Sequence, residues 1–152
     1  MTDRREDENV ITLLERQHVE IRTLLGVVAG SSGERRRLAF QDLVRLLAVH
    51  ETAEEEVVHP AVRDLGGNAV VRARVAEEHR AKQLLSELHD MGTDAEGFAG
   101  LFEELKAGVL AHAGHEEREE FPLLRAGHDA DRLRAMASAV RDAEAVAPTR
   151  PR

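Results

Sequence analysis

The stretch "HETAEEEVVHPAV" (residues 50–62) decides how this chain is read. It belongs to a run in which Phe40, Leu43, Leu47 and Val57 recur at helical spacing, and His50 and Glu54 fall on the same inward stripe, one turn apart. Burying a carboxylate without a partner costs several kcal/mol in lost hydration, so a helix that turns both groups inward requires something there to meet them. The same arrangement returns in "HAGHEEREEFPLL" (residues 112–124), where His112, Glu116, Glu117 and Pro122 stand in register with His50, Glu54, Glu55 and Pro60. Each copy is preceded by another histidine: His18 lies 32 residues before His50, and His79 lies 33 residues before His112.

The hairpin is therefore duplicated. Ile11, Leu14, Ile21, Leu25 and Val28 mark a first helix over about residues 8–28, closed by the break "AGSSGE" with its candidate N-cap serines. A second helix covers about 33–65 and ends at Gly66-Gly67, a third covers about 68–91, and a fourth carries Phe98, Leu101, Leu105 and Val109 up to about 124. Short connections between long helices predict an all-α, up-down antiparallel four-helix bundle over residues 8–126. Leu133, Met136 and Val140 predict a short fifth helix within 127–146, which either caps the bundle or mediates self-association, and 147–152 reads as a flexible tail.

Composition narrows the chemistry. At 152 residues the chain is the size of one ordinary domain, and 29 acidic against 21 basic residues, with no basic stripe, argues against a nucleic-acid partner. The absence of cysteine removes disulfides, thiolate-bound zinc, iron–sulfur clusters and thiol catalysis, so metal chemistry here must use nitrogen and oxygen. The N-terminal "MTDRREDENV" carries no apolar signal segment and no run is long enough to span a bilayer, which sets the expectation of a cytoplasmic protein without a membrane partner.

His18, flanked by Leu14, Ile21 and Leu25, turns inward like His50 and His112, and counting from the interhelix turns places His18, His50, His79 and His112 at similar depth, within about a turn. His18, His50, Glu54, His79, His112 and Glu116 are thus the candidate metal ligands. Imidazole and carboxylate donors suit iron, manganese or zinc, and two glutamates able to bridge favour a pair of ions. On the third helix, Leu84, Leu85 and Leu88 point away from the His79 side, so bringing His79 inward requires a bend. His115, a turn beyond His112, is an additional candidate ligand or lines the pocket. His59 is expected to pack at the bend before Pro60 rather than bind metal, and Glu55, Glu56, Glu117, Glu119 and Glu120 read as a solvated acidic face with one or two members free to orient a histidine.

Other templates fit less well. "HETAE" lacks the second histidine of HExxH, and the Glu-x-x-His pairs Glu15/His18 and Glu56/His59 would strand the duplicated His50 and His112. The pattern of His followed by His-x-x-x-Glu, twice over, resembles the hemerythrin-like, or HHE cation-binding, family across roughly residues 8–126. That resemblance implies a bundle around two iron ions with a bridging oxo or hydroxo group, which binds or reacts with dioxygen, peroxide or nitric oxide. Oxygen-carrying relatives have a further histidine where this chain has Gln83, and a spacer before the last acidic ligand where Glu116 stands in register. Both departures shift the expectation from oxygen transport to redox chemistry, catalase-like peroxide decomposition among it, with a non-enzymatic iron, oxygen or nitric oxide sensor as the alternative.

Overall fold

The computed structural model describes residues 8–148, and every regular element within them is helical. Residues 1–7, on which the leader expectation rests in part, and most of the tail expected at 147–152 lie outside the described residues. Helix α1 (Val10–Gly30) starts at Asn9, whose side chain accepts a hydrogen bond from the Thr12 backbone N–H at 2.9 Å and so satisfies one of the donors a helix start leaves open. Helix α2 (Gly33–Ala53) has Ser32 at its N-cap position, without a side-chain cap bond. Helices α3 (His59–Asp64), α4 (Asn68–Met91), α5 (Phe98–His115), α6 (Phe121–Gly127) and α7 (Ala130–Ala145) complete the order. Gly66 and Gly92 take positive φ of 86° and 84° at the ends of α3 and α4, where a side chain would be strained.

α2 and α3 form one bundle helix joined by a π-helical turn (Glu54–Val58), and α5 and α6 form another through a second such turn (Glu116–Glu120). Each π turn stands just before a proline, Pro60 or Pro122, whose ring would crowd the carbonyl four residues back and which offers no N–H of its own. Widening the helix relieves the conflict: His59 N–H reaches Glu54 O and Phe121 N–H reaches Glu116 O, an i to i−5 pattern. The repeat therefore duplicates a backbone distortion as well as a pair of side chains.

α1 packs on α2 and α4 on α5, further contacts of α1 with α5 and of α3 with α4 and α6 close the bundle, and α7 lies across α1, α2 and the first π turn. The apolar interior is split. One cluster holds Leu13, Leu14, Val58, Val62, Val71, Phe121 and Leu124, together with Leu133, Met136, Ala137 and Val140 of α7. The other holds Ile21, Leu25, Phe40, Leu43, Leu84, Leu88, Phe98, Phe102 and Leu105. On each bundle helix the residues between these clusters are polar and buried: His18, His50 with Glu54, Glu78, and Glu116 with Glu120. The fifth helix adds its apolar face to the first cluster and so completes the bundle's interior at that end.

Phe102 is 1% exposed, stacks on Phe98 at 5.8 Å and meets Phe40 edge-on at 6.5 Å. Phe102→Ala should cost about 3–5 kcal/mol of stability, read as a lower Tm or denaturation midpoint. Because Phe102 lies in the cluster beyond the polar layer, the metal content of folded protein should not change.

Candidate metal centre

Helical periodicity delivers His18 from α1 and His50 from α2 to the polar layer, the first π turn delivers Glu54, α4 delivers Glu78, α5 delivers His112, and the second π turn delivers Glu116. His18, His50, Glu54 and Glu116 are each no more than 4% exposed. Their candidate donor atoms all lie within 4.8 Å of one another, and one oxygen each of Glu54 and Glu78 forms a second such group with His112. His50 Nε2 is 2.6 Å from Glu54 Oε1, His112 Nε2 is 2.7 Å from Glu116 Oε1, and His18 Nε2 is 3.9 Å from Glu116 Oε1. The two groups share Glu54 and adjoin through Glu116.

The outer nitrogens explain the orientation of the rings. His18 Nδ1 is 3.0 Å from Glu117 Oε1, His50 Nδ1 is 2.7 Å from Gln17 Oε1, and His112 Nδ1 is 2.8 Å from Glu77 Oε1. Each partner atom is an acceptor, so Nδ1 donates in all three rings and Nε2, the nitrogen turned to the carboxylates, is left free to be a lone pair. These partners are themselves held. Glu117 also accepts from Arg22 at 2.7 Å, Glu77 pairs with buried Arg74 at 2.8 Å, and Gln17 Nε2 donates to Glu144 of α7 at 2.7 Å. Metal-binding histidines characteristically have this arrangement, in which a fixed outer acceptor sets the tautomer and the ring angle.

The donor set fits a cation. His18 Nε2, Glu54 Oε2 and both carboxylate oxygens of Glu116 are buried atoms with no hydrogen-bond partner. Burial, reinforced by the neighbouring His50, lowers His18 to about 4, so near neutral pH its inward nitrogen is an unprotonated lone pair. Acceptors pointing at acceptors in a dry layer repel unless protons or a positive ion lie between them. Burial and the charge of Glu54 push Glu116 up to about 8, whereas burial acting on Glu54 is outweighed by His50 and His112, which hold it well below the usual carboxylate range. Burial likewise opposes charge on His50 and His112, but Glu54 and Glu116 prevail and raise them to about 9 and about 12. Protons and a cation therefore compete for the same atoms.

Of the sequence-predicted ligands, the structure brings His18, His50, Glu54, His112 and Glu116 together and does not bring His79. α4 is one uninterrupted helix without the bend that His79 needs, and its buried stripe runs Val71, Arg74, Glu78, Leu85, Leu88. Glu78 takes the inward place, and His79 is exposed. His115 lies at the margin, its Nδ1 2.6 Å from Glu77 Oε2, so it steadies the carboxylate that holds His112. His59 does pack beside Pro60, as expected, but it is 1% exposed and its ring reaches into the layer, with Nε2 2.9 Å from Glu78 Oε1. Glu120, expected on the solvated face, is fully buried: it stands four residues after Glu116 and shares that inward face, as buried Val58 does after Glu54 in the other repeat. That register between the two repeats was the available signal. Nothing local marks Gln17, Glu77 or Glu144 as partners of the site.

Two outcomes follow. A cation must find its imidazoles deprotonated, and His50 and His112 lie above their ordinary value, so affinity should rise with pH from about 6 to beyond about 9 and binding at pH 7 should release protons; titration in weak buffer with a pH indicator measures this. Gln17→Leu removes the acceptor that orients His50 and should weaken metal binding by about 10–100-fold in an equilibrium competition with a chelator.

Residues 9–124 match the hemerythrin HHE cation binding domain. A solved hemerythrin HHE cation binding domain-containing protein from Mycobacterium kansasii has the same fold, with a TM-score of 0.78 at 22% identity over 91% of this chain and 88% of that one. A DNA nickase from Nostoc sp. (strain PCC 7120 / SAG 25.82 / UTEX 2576) is 25% identical over 122 residues, which are 80% of this chain but 35% of the nickase, so this chain spans about a third of that relative's length. The domain match covers most of the sequence and the buried histidine and glutamate layer lies inside it: this chain belongs to the hemerythrin HHE cation-binding domain family.

Proposed function

We propose that this chain is a non-haem di-iron protein that reacts with a small oxidant, with catalase-like decomposition of peroxide as its leading activity. The observation that carries the reading is the convergence of unpartnered buried acceptors, His18 Nε2, Glu54 Oε2 and Glu116 Oε2, in a layer that also holds a second donor group around His112. Nitrogen and carboxylate donors without thiolate suit iron, manganese or zinc, and the doubled donor group favours two ions over one. A bound iron pair would supply redox equivalents and open coordination positions, oxo- or hydroxo-bridged in its resting state.

The protein's own contribution is a dry, pre-set surround. Gln17, Glu77 and Glu117 hold the three rings before any ligand arrives, while Phe121 stacks on His18 at 5.8 Å and shields it. Access is from one side. A cavity of about 50 Å³ opens beside His50, Glu54, Glu78 and His112, with Leu47, Leu85 and Val109 as apolar wall, enough for a few waters or a molecule of two heavy atoms. Lys82 borders it, paired with Glu51 at 2.7 Å. A space of this size suits peroxide, dioxygen or nitric oxide. The net charge of −8 leaves nucleic acid out of this reading.

Metal analysis of purified, anaerobically reconstituted protein should find two iron ions per chain, with near-ultraviolet and visible bands that stand out because the chain has neither Trp nor Tyr. Peroxide should release oxygen steadily, and His50→Ala and Glu54→Ala should abolish this. A reversible spectral change without turnover would move the assignment to an oxygen or nitric oxide binding module, and iron-free, colourless protein would end it.

A further inference from the structure

We infer that the fourth histidine of the metal centre is His59, which completes the site of the second ion together with Glu54, Glu78 and His112. The inference rests on the binuclear reading above and names the ligands of its less obvious half.

His59 shares with His18, His50 and His112 one orientation: a ring with Nε2 turned to the carboxylate layer and Nδ1 turned outward to a further carboxylate or amide oxygen. Its Nε2 lies 2.9 Å from Glu78 Oε1 and 4.0 Å from Glu54 Oε2. His112 Nε2 lies 3.7 Å from each of these same two oxygens. His112 forms one donor group with Glu54 and Glu78, and His59 forms an adjoining one with Glu54 and Glu120, so the two imidazoles meet across the shared Glu54 and the 2.9 Å contact of His59 with Glu78, donors of the kind a divalent first-row metal takes. On the other side of the ring, His59 Nδ1 is 3.5 Å from Glu120 Oε1, and Glu120 is fully buried with both oxygens unpartnered. Glu120 lies on the same side of His59 as Glu77 does of His112, without the short hydrogen bond that Glu77 makes.

The backbone accounts for the placement. In an unbroken α-helix a residue five positions after Glu54 would be turned about 140° away from it. The π turn ahead of Pro60 closes that angle, bringing His59 to the Glu54 side, and Glu120, one turn after Glu116 on the same inward face, lies beside it.

Anaerobic titration of the full chain with Co²⁺, with bound metal measured after equilibrium dialysis, tests the assignment. Wild type should take up two equivalents. His59→Gln should keep the first and bind the second at least about 10-fold more weakly, while His79→Gln should match wild type. Proton NMR of the cobalt-loaded wild type gives a readout independent of any variant's folding. Four strongly shifted, solvent-exchangeable ring N–H signals are expected, one from each Nδ1 of His18, His50, His59 and His112, and three such signals would overturn the inference. Undiminished binding of the second ion by His59→Gln would also overturn it and leave the binuclear reading standing. Fewer than two equivalents in wild type would bring down both.

Discussion

The structure is organised around carboxylates brought into a dry layer of a helical bundle. Two negative charges about 4 Å apart repel by on the order of 4 kcal/mol even at an effective dielectric near 20, and Glu54 and Glu116 each offer an oxygen to one group whose atoms lie within 4.8 Å. Replacing buried charges by an apolar layer is often neutral or stabilising, so folding alone does not call for this arrangement. A bound cation would: it would turn the repulsion between converging acceptors into attraction, and its binding free energy would add to that of folding.

That constraint reaches outward to the surface. Each imidazole must present a lone pair inward, so each needs an acceptor for its outer N–H, and each acceptor is steadied in turn: Glu117 by Arg22, Glu77 by Arg74, and Gln17 by Glu144. The last chain gives α7 a place in the centre. Its apolar side closes one of the two clusters, and its Glu144 sets the direction of the Gln17 amide so that Oε1, and not Nε2, faces His50. The fifth helix therefore contributes to both packing and ligand orientation.

The two π turns separate the faces of the layer. Toward Val58 and Phe121 the site abuts a closed apolar cluster that includes α7, and toward Glu51 and Lys82 it abuts a small cavity. Under the proposed function this asymmetry would keep water from one side of the site and leave the other open to a small molecule. Each turn precedes a proline that an unbroken α-helix would not tolerate, and at the first of them this local backbone conflict brings an additional side chain, His59, to the interior.

The helices, their order and the duplicated His-x-x-x-Glu were legible in the chain itself. Residues four apart on a helix share a face whatever surrounds them, and a pattern repeated in two hairpins marks that face as special. Helix α4 coincides with its predicted span, Asn68–Met91, for the same reason. Tertiary structure decided what lies at the edges of that logic. Successive residues on a helix differ by about 100°, so periodicity alone left Glu78 and His79 in competition, and the packing of Val71, Leu85 and Leu88 against the other helices turned Glu78 inward. The first π turn shifts the helical register by one residue, which carried His59 into the layer against the α-helical wheel. The outer partners come from other helices, Gln17 lying 33 residues from His50 and 127 from Glu144. Such pairs leave no local periodic trace, because only the folded bundle brings them together.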